Sequence, residues 1–564
     1  MRHRFGRRAF LEKTAQVAIL GLAGTGPLLK GCSSKKDYDI LIENGLVYDG
    51  RGGEPREADI GIISDSIVFI GKVRKNRAKE IIQAKNLAVC PGFIDVHDHT
   101  DVSLLVNPRA ESLIHQGITT VISGNCGSSP FPVAEATLEE ERENLKRVYD
   151  VDLDWRDMNG FFQRLEKAGL GINYATLLGL GSLRGDVMGF ENRPPSEDEM
   201  ARMREEVRKH LRAGAFGLST GLEYAPGSFA SPEEITALCR VVREFDGVYA
   251  THMRDEGDFL LESLDESIST ARASGVKLQV SHLKVAYPRN WPKIDEALAR
   301  LERAKQEGMD IFADRYPYIA GSTGLSFYFP MWAKEGKTED FLNRLQDPSL
   351  EVSLRAYVAE QEKKLGSWEK VLLSSIISEK NRHFQGKTIK EAADSCGKDA
   401  FAFMRDLLVE EKGQVGMIAF MMSEENLKKI LGHPLVGVGC DGSAVAPYGR
   451  LSLGKPHPRN YGTFPRVLGK YVREEKVCSL EEMIKKMTSI PASRFGLGKR
   501  GTIELGAVAD LVVFDPSRVA DRATWEEPHQ YPQGIEFVLV NGQVAIAGGE
   551  HTGRLAGKIL KKRV

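Results

Sequence analysis

The stretch Pro91–Asp101, PGFIDVHDHTD, decides how this chain is read. The apolar pair Phe93-Ile94 leads into His97 and His99, one residue apart. On a β-strand, residues i and i+2 share a face, so both imidazoles converge at the strand's C-terminal end. Neutral imidazole is a common ligand for zinc-like ions. Two strand-end histidines without an ion are the alternative. The other strand ends discriminate.

Outward from that stretch, short apolar runs alternate with amphipathic helical stretches, the pattern of βα units on a parallel sheet. Eight candidate strands follow: Gly92–His97, Thr119–Ser123, Asn173–Gly179, Phe216–Glu223, Val248–Met253, Lys277–Leu283, Asp310–Tyr316 and Val436–Asp441. Glu197 to Ala213 is the clearest helix, with its charges on one side. Eight units predict an α/β fold, a TIM (β/α)8 barrel, whose chemistry sits at the strands' C-terminal ends. The segment of about 323–431 is too long for a loop and is read as a helix-rich insertion between strands seven and eight, a lid or pocket wall.

Both ends of the chain look alike. Asp39-Ile40-Leu41-Ile42, Asp59-Ile60-Gly61-Ile62 and Ser66–Gly71 are strand patterns, as are Ala509–Phe514 and Ile535–Asn541. Residues 37–90 and 491–564 are therefore expected to form one small β-sandwich domain, flanking a barrel at 91–490. The first 36 residues are an address. Arg7-Arg8-Ala9-Phe10-Leu11 reads as a twin-arginine export signal, followed by a modest apolar run. It ends at Leu29-Lys30-Gly31-Cys32, similar to a lipoprotein cleavage site, although Lys30 is unusual there. The expectation is a bacterial cell-envelope or periplasmic protein, with membrane attachment through lipidated Cys32. The formal net charge of −1 and the lack of a basic stripe argue against nucleic acid as a partner. Seven cysteines without framework spacing exclude a disulfide scaffold.

The strand ends are then compared. The first ends at His97 and His99; beyond the second comes Asn125-Cys126-Gly127; the fifth ends at His252, the sixth at His282, the eighth at Cys440-Asp441. Each has a plain structural alternative: core histidines, a small buried thiol, a turn aspartate. Together they describe an ion-holding pocket.

The set resembles the amidohydrolase superfamily, and within it the N-acyl-D-amino-acid deacylases, or D-aminoacylases. The likeness runs through PGFIDVHDHTD, QGITTVISGNCG, STGLEYAPG, THMRDE, SHLK, YPYIAGST, CDG and PHPRNYGTFPRVLG, nearly the whole chain after the leader. It implies a zinc-dependent hydrolase of linear amides. By motif, Cys126, His252 and His282 form the tighter zinc site, and His97 and His99 a second, weaker one, the number of ions being left open. Strands three and four hold no lysine of the kind that bridges two metals in many relatives. Asp441 touches the weaker site and acts as general base, and Tyr224 assists at the oxyanion. Lys284, Tyr316, Ser322 and Arg459 match the residues that hold the substrate's carboxylate and backbone. Glu223 stands where such deacylases often carry an aromatic residue, and either favours a polar or basic substrate side chain, faces solvent or approaches the metals. The alternatives are a hydantoinase- or dihydroorotase-like enzyme of the same superfamily and, more remotely, a non-catalytic exported binding lipoprotein.

Overall fold

A computed structural model describes residues 37–73 and 78–563. The expected export signal and Cys32 lie outside the described residues. Eight parallel strand segments occupy the middle of the chain: β1 (Phe93–Asp95), β2 (Ile118–Ser123), β3 (Asn173–Thr176, continued by Leu178–Gly179), β4 (Gly217–Gly221), β5 (Val248–His252), β6 (Lys277–Val280), β7 (Ile311–Arg315) and β8 (Val436–Val438). Each hydrogen-bonds its sequence neighbour, β3 through both of its pieces. Closure from β8 to β1 runs through Asp441 N to His97 O and His99 N to Gly442 O, both 2.7 Å. The same two hydrogen bonds bring the first and last strand ends together.

Local sequence explains the elements. β2, ITTVIS, is wholly buried and β-branched at five of six positions, as a strand covered on both faces requires. On β5, Val248, Ala250 and His252 share one face. The first two pack with Ile94, Ile122 and Phe216, and the last reaches the site. Helix α1 (Glu197–Ala213) starts at a reciprocal capping box between Ser196 and Glu199 and stops at left-handed Gly214.

The terminal strands form one nine-stranded hydrogen-bonded network. Strand Tyr38–Val47 joins it: its first half pairs with Ala78–Gln83 and its second with Ala88–Pro91, across a register shift between Ile42 and Gly45. Ile40, Ile42, Ile60, Ile62, Leu511, Val513 and Leu539 share one core drawn from both ends of the chain.

Three boundaries differ from expectation. The division expected at 491 falls inside helix Ser489–Phe495, whose Ala492 and Phe495 pack with barrel residues Phe216 and Val248. The tail likewise returns to the barrel, where Tyr174 N donates to Lys558 O (3.0 Å) and Leu560 N to Tyr174 O (2.7 Å). The insertion is not helical alone. It begins at Ala320 and contains an antiparallel sheet of Ala320–Gly324, Val415–Phe420 and Val371–Ile376, with its own core around Leu325, Phe341, Trp368 and Phe401. The run AGSTG has no apolar alternation, so periodicity does not reveal its first strand.

Candidate metal centre

The C-terminal ends of β1, β5 and β6 and the turn after β2 bring four side chains to one place. Cys126 Sγ lies 3.3 Å from His97 Nε2 and 3.6 Å from His282 Nε2. His282 Nε2 lies 3.0 Å from His252 Nδ1. Donor atoms of Cys126, His252 and His282 all fall within 4.8 Å of one another, and so do those of His97, His99, Cys126 and Asp441. Cys126, His282 and Asp441 adopt left-handed backbone with φ of 50°, 35° and 51°. Such a conformation is uncommon outside glycine and clusters where geometry is functional.

These side chains fit zinc. A tetrahedral ion with legs of about 2.0–2.3 Å sets its donors roughly 3.3–3.7 Å apart. The separations of 3.0 and 3.6 Å among His252, His282 and Cys126 are close to that. A thiol and two imidazoles are a typical zinc donor set. Burial alone would push the Cys126 thiol up, but the facing His97, His252 and His282 hold it well below its ordinary range. The sulfur is thus poised as a thiolate.

The outward-facing imidazole nitrogens meet carboxylates. His97 Nδ1 lies 3.2 Å from Asp314 Oδ1, which also accepts from His282 N (2.8 Å). His282 Nδ1 lies 3.0 Å from Glu256 Oε1. His252 Nε2 lies 3.1 Å from Glu223 Oε2 and 3.7 Å from Glu256 Oε2. Such partners fix which nitrogen faces an ion. Sequence reasoning assigned no role to Asp314 or Glu256. Their signals were an aspartate interrupting the apolar run of β7 and a glutamate four residues beyond His252.

Asp441 sits between the two groups. Its Oδ1 lies 3.1 Å from His99 Nε2, and its Oδ2 accepts from Arg459 Nη1 at 2.7 Å. Burial raises the Asp441 carboxyl, but Arg459 and then His97 and His99 override it and keep the group well below its usual range. Arg459 Nη2 also reaches Ser322 O (3.4 Å), and its guanidinium stacks 4.8 Å from the Tyr316 ring centroid. Lys284 Nζ donates to both Glu256 oxygens (2.6 and 2.5 Å), so its charge is matched inside the protein. Tyr316 Oη is buried without a partner among the described residues. Tyr224 Oη accepts from Thr323 Oγ1 at 3.3 Å, leaving its own hydrogen free. Burial, then the Cys126 and Glu223 charges, raise that phenol well above its ordinary range, so it stays protonated. Glu256 and Thr323 were not singled out in the sequence; His99, Tyr224, Lys284, Tyr316, Ser322, Asp441 and Arg459 were, and they line a single cavity of about 490 Å3 with Cys126, His252 and His282. The insertion supplies part of its wall through Ser322, Thr323, Phe327 and Met417.

The profile of the amidohydrolase family matches residues 80–546. The chain belongs to the amidohydrolase family. It is 34% identical over 534 residues to D-aminoacylase of Alcaligenes xylosoxydans xylosoxydans, covering 94% of this chain and 99% of that protein. It is 35% identical over 530 residues to the N-acyl-D-glutamate deacylase of the same organism, covering 94% and 97%. Among amidohydrolases of known structure, the N-acyl-D-glutamate deacylase of Bordetella bronchiseptica, complexed with zinc and a phosphonate mimic of the tetrahedral intermediate, superposes with a TM-score of 0.79 at 32% identity, over 93% of this chain and 99% of that one.

Proposed function

We propose that this chain is a zinc-dependent hydrolase that cleaves the linear amide of N-acyl-D-amino acids to a carboxylic acid and a free D-amino acid. The observation that carries it is the convergence of Cys126, His252 and His282 beside the Asp441–Arg459 ion pair. The likeness to deacylases over nearly the whole chain supports the D-amino-acid substrate class.

In this reading Cys126, His252 and His282 hold the tight zinc, and His97 and His99, with Cys126 and Asp441, form the weaker site. Zinc held by these residues would supply Lewis acidity for the acyl carbonyl and a water whose pKa falls to about 7. Asp441 accepts the proton of the attacking water and returns it to the departing nitrogen. Arg459 keeps Asp441 ionised and aimed. Tyr224 donates its free O–H to the developing oxyanion. Tyr316 Oη, with the unpaired Nε of Arg459, receives the substrate's α-carboxylate, the kind of acceptor that both buried donors lack. Lys284 and Ser322 border that clamp, Lys284 adding positive field while it anchors Glu256.

The test is release of free amine from paired N-acetyl-D- and N-acetyl-L-amino acids by zinc-loaded protein. Turnover of D-substrates that stops on zinc removal is expected. Turnover of neither series sinks the reaction, and preference for the L-series sinks the chirality. Export by the twin-arginine route to the cell envelope belongs to the same reading and rests on residues 1–36. A reporter fused to that segment should be exported, and Arg7→Lys with Arg8→Lys should abolish export.

A further inference from the structure

Four carboxylates line the cavity: Glu141, Glu223, Glu256 and Asp441. Two are neutralised within the protein, Glu256 by Lys284 and Asp441 by Arg459. The other two are not. Among the described residues no Lys or Arg nitrogen comes within 4.0 Å of Glu141 or Glu223. Among the described residues Glu141 accepts from Thr137 Oγ1 (3.3 Å), and Glu223 meets the His252 imidazole (3.1 Å) and, at longer range, the charge of Lys334. Burial, with Glu140 adding like charge, raises the Glu141 carboxyl. An aromatic ring, Phe190, lines the cavity beside them, while Gly181 and Gly185 on the same wall carry no side chain. Tyr316 Oη, buried and without a partner among the described residues, lines the same cavity, which marks it as a place completed by a ligand.

We propose that Glu223, Glu141 and Phe190 form a subsite for a cationic substrate side chain, so that the preferred substrates are N-acyl derivatives of D-arginine or D-lysine. This rests on the deacylase reading above and adds the side-chain class to it. Two carboxylates and an aromatic face supply what a guanidinium or ammonium takes on leaving water: paired charge, hydrogen-bond acceptors and a ring quadrupole. The α-carboxylate and the side-chain cation then engage opposite charges in one cavity, Arg459 with Tyr316 for the first, Glu223 with Glu141 for the second. Lys334, on the insertion, borders the adjoining groove with Glu223 and feels its charge, beyond the 4.0 Å of an ion pair. It is the group that would draw an anionic side chain instead.

The experiment measures kcat/KM of the zinc-loaded protein on N-acetyl-D-arginine, N-acetyl-D-norleucine and N-acetyl-D-glutamate, with zinc content recorded for every variant. Arginine should exceed norleucine at least about tenfold, with glutamate lowest. Glu141→Gln should cut the arginine-to-norleucine ratio several-fold while zinc content holds, and Glu223→Gln should cut the same ratio, compared per bound zinc because Glu223 also faces His252. Preference for norleucine or glutamate, or a ratio that neither variant moves, overturns the subsite and leaves the reaction standing. If no substrate is turned over, the reaction falls. Calorimetric binding of N-acetyl-D-arginine against N-acetyl-D-norleucine then decides the subsite, and equal affinities overturn it.

Discussion

Arg459 donates from Nη1 to Asp441 Oδ2 at 2.7 Å, and both side chains are buried at the mouth of the histidine cluster. A cation so placed favours the ionised carboxylate. The sign follows directly. A base held low in pKa remains unprotonated as pH falls, so activity persists to acid pH. Replacing Arg459 with Met removes the largest influence holding Asp441 down, and the remaining burial favours the protonated form. The acid limb of the kcat/KM profile is expected to move to higher pH, read from a profile of kcat/KM between pH 5 and 9. An unmoved limb would separate Arg459 from the ionisation of Asp441.

Asp441→Asn keeps the shape and removes the base. Zinc content should stay near that of the parent protein, because Cys126, His252 and His282 are untouched. Turnover should fall by about 10²–10⁴-fold, the usual contribution of a positioned acid–base group. Metal analysis alongside single-substrate kinetics checks both halves.

Cys126→Ser substitutes a weak ligand for a thiolate at the point shared by both donor groups. Zinc should then be lost to a chelator at concentrations the parent resists, and activity should fall with it. Glu256→Gln acts one step further out. Glu256 faces the outer nitrogens of His282 (3.0 Å) and His252 (3.7 Å), so its loss is expected to weaken zinc affinity by about 10–100-fold. Competition against a chromogenic chelator measures both; unchanged affinity in Glu256→Gln would reduce that carboxylate to an anchor for Lys284.

How much of this was legible beforehand depends on what sequence encodes. The strand segments were readable because each barrel strand is a short buried run between longer amphipathic stretches. The donors were readable because a parallel barrel collects its site from strand ends, once per βα unit. The pairings were not. That Arg459 serves Asp441 and Lys284 serves Glu256 depends on loop paths that no spacing records. Asp314 shows the same gap: in IFADR it reads as one polar residue in an apolar strand, yet it touches His97, His282 and Gln279 at once. The three-stranded sheet of the insertion escaped because Ala320–Gly324 is held by pairing with Val415–Phe420, far along the chain.

Those three contacts make Asp314 a stability residue as well. It is fully buried and accepts from His282 N and Gln279 Nε2, both at 2.8 Å. Asp314→Ala leaves these donors without an acceptor, and an unsatisfied buried donor costs about 1–3 kcal/mol. A loss of about 2–4 kcal/mol is expected for the pair, visible in denaturant unfolding of the zinc-free protein, where metal binding does not mask it.

Tyr316 predicts the reverse relation between stability and function. The residue is 1% exposed, and its hydroxyl is buried with no partner among the described residues. In the free protein that group carries the penalty of a buried, unmade hydrogen bond. Tyr316→Phe deletes the hydroxyl and keeps the ring on which Arg459 and Arg315 stack. The melting temperature should therefore hold or rise. Substrate binding should weaken, because the α-carboxylate loses a donor that nothing else in the cavity replaces. KM should rise about tenfold with a smaller change in kcat, the pattern of an interaction made in ground and transition states alike. A variant less stable than the parent with KM unchanged would mean that the hydroxyl serves the fold, and the carboxylate would have to be held by Arg459 alone.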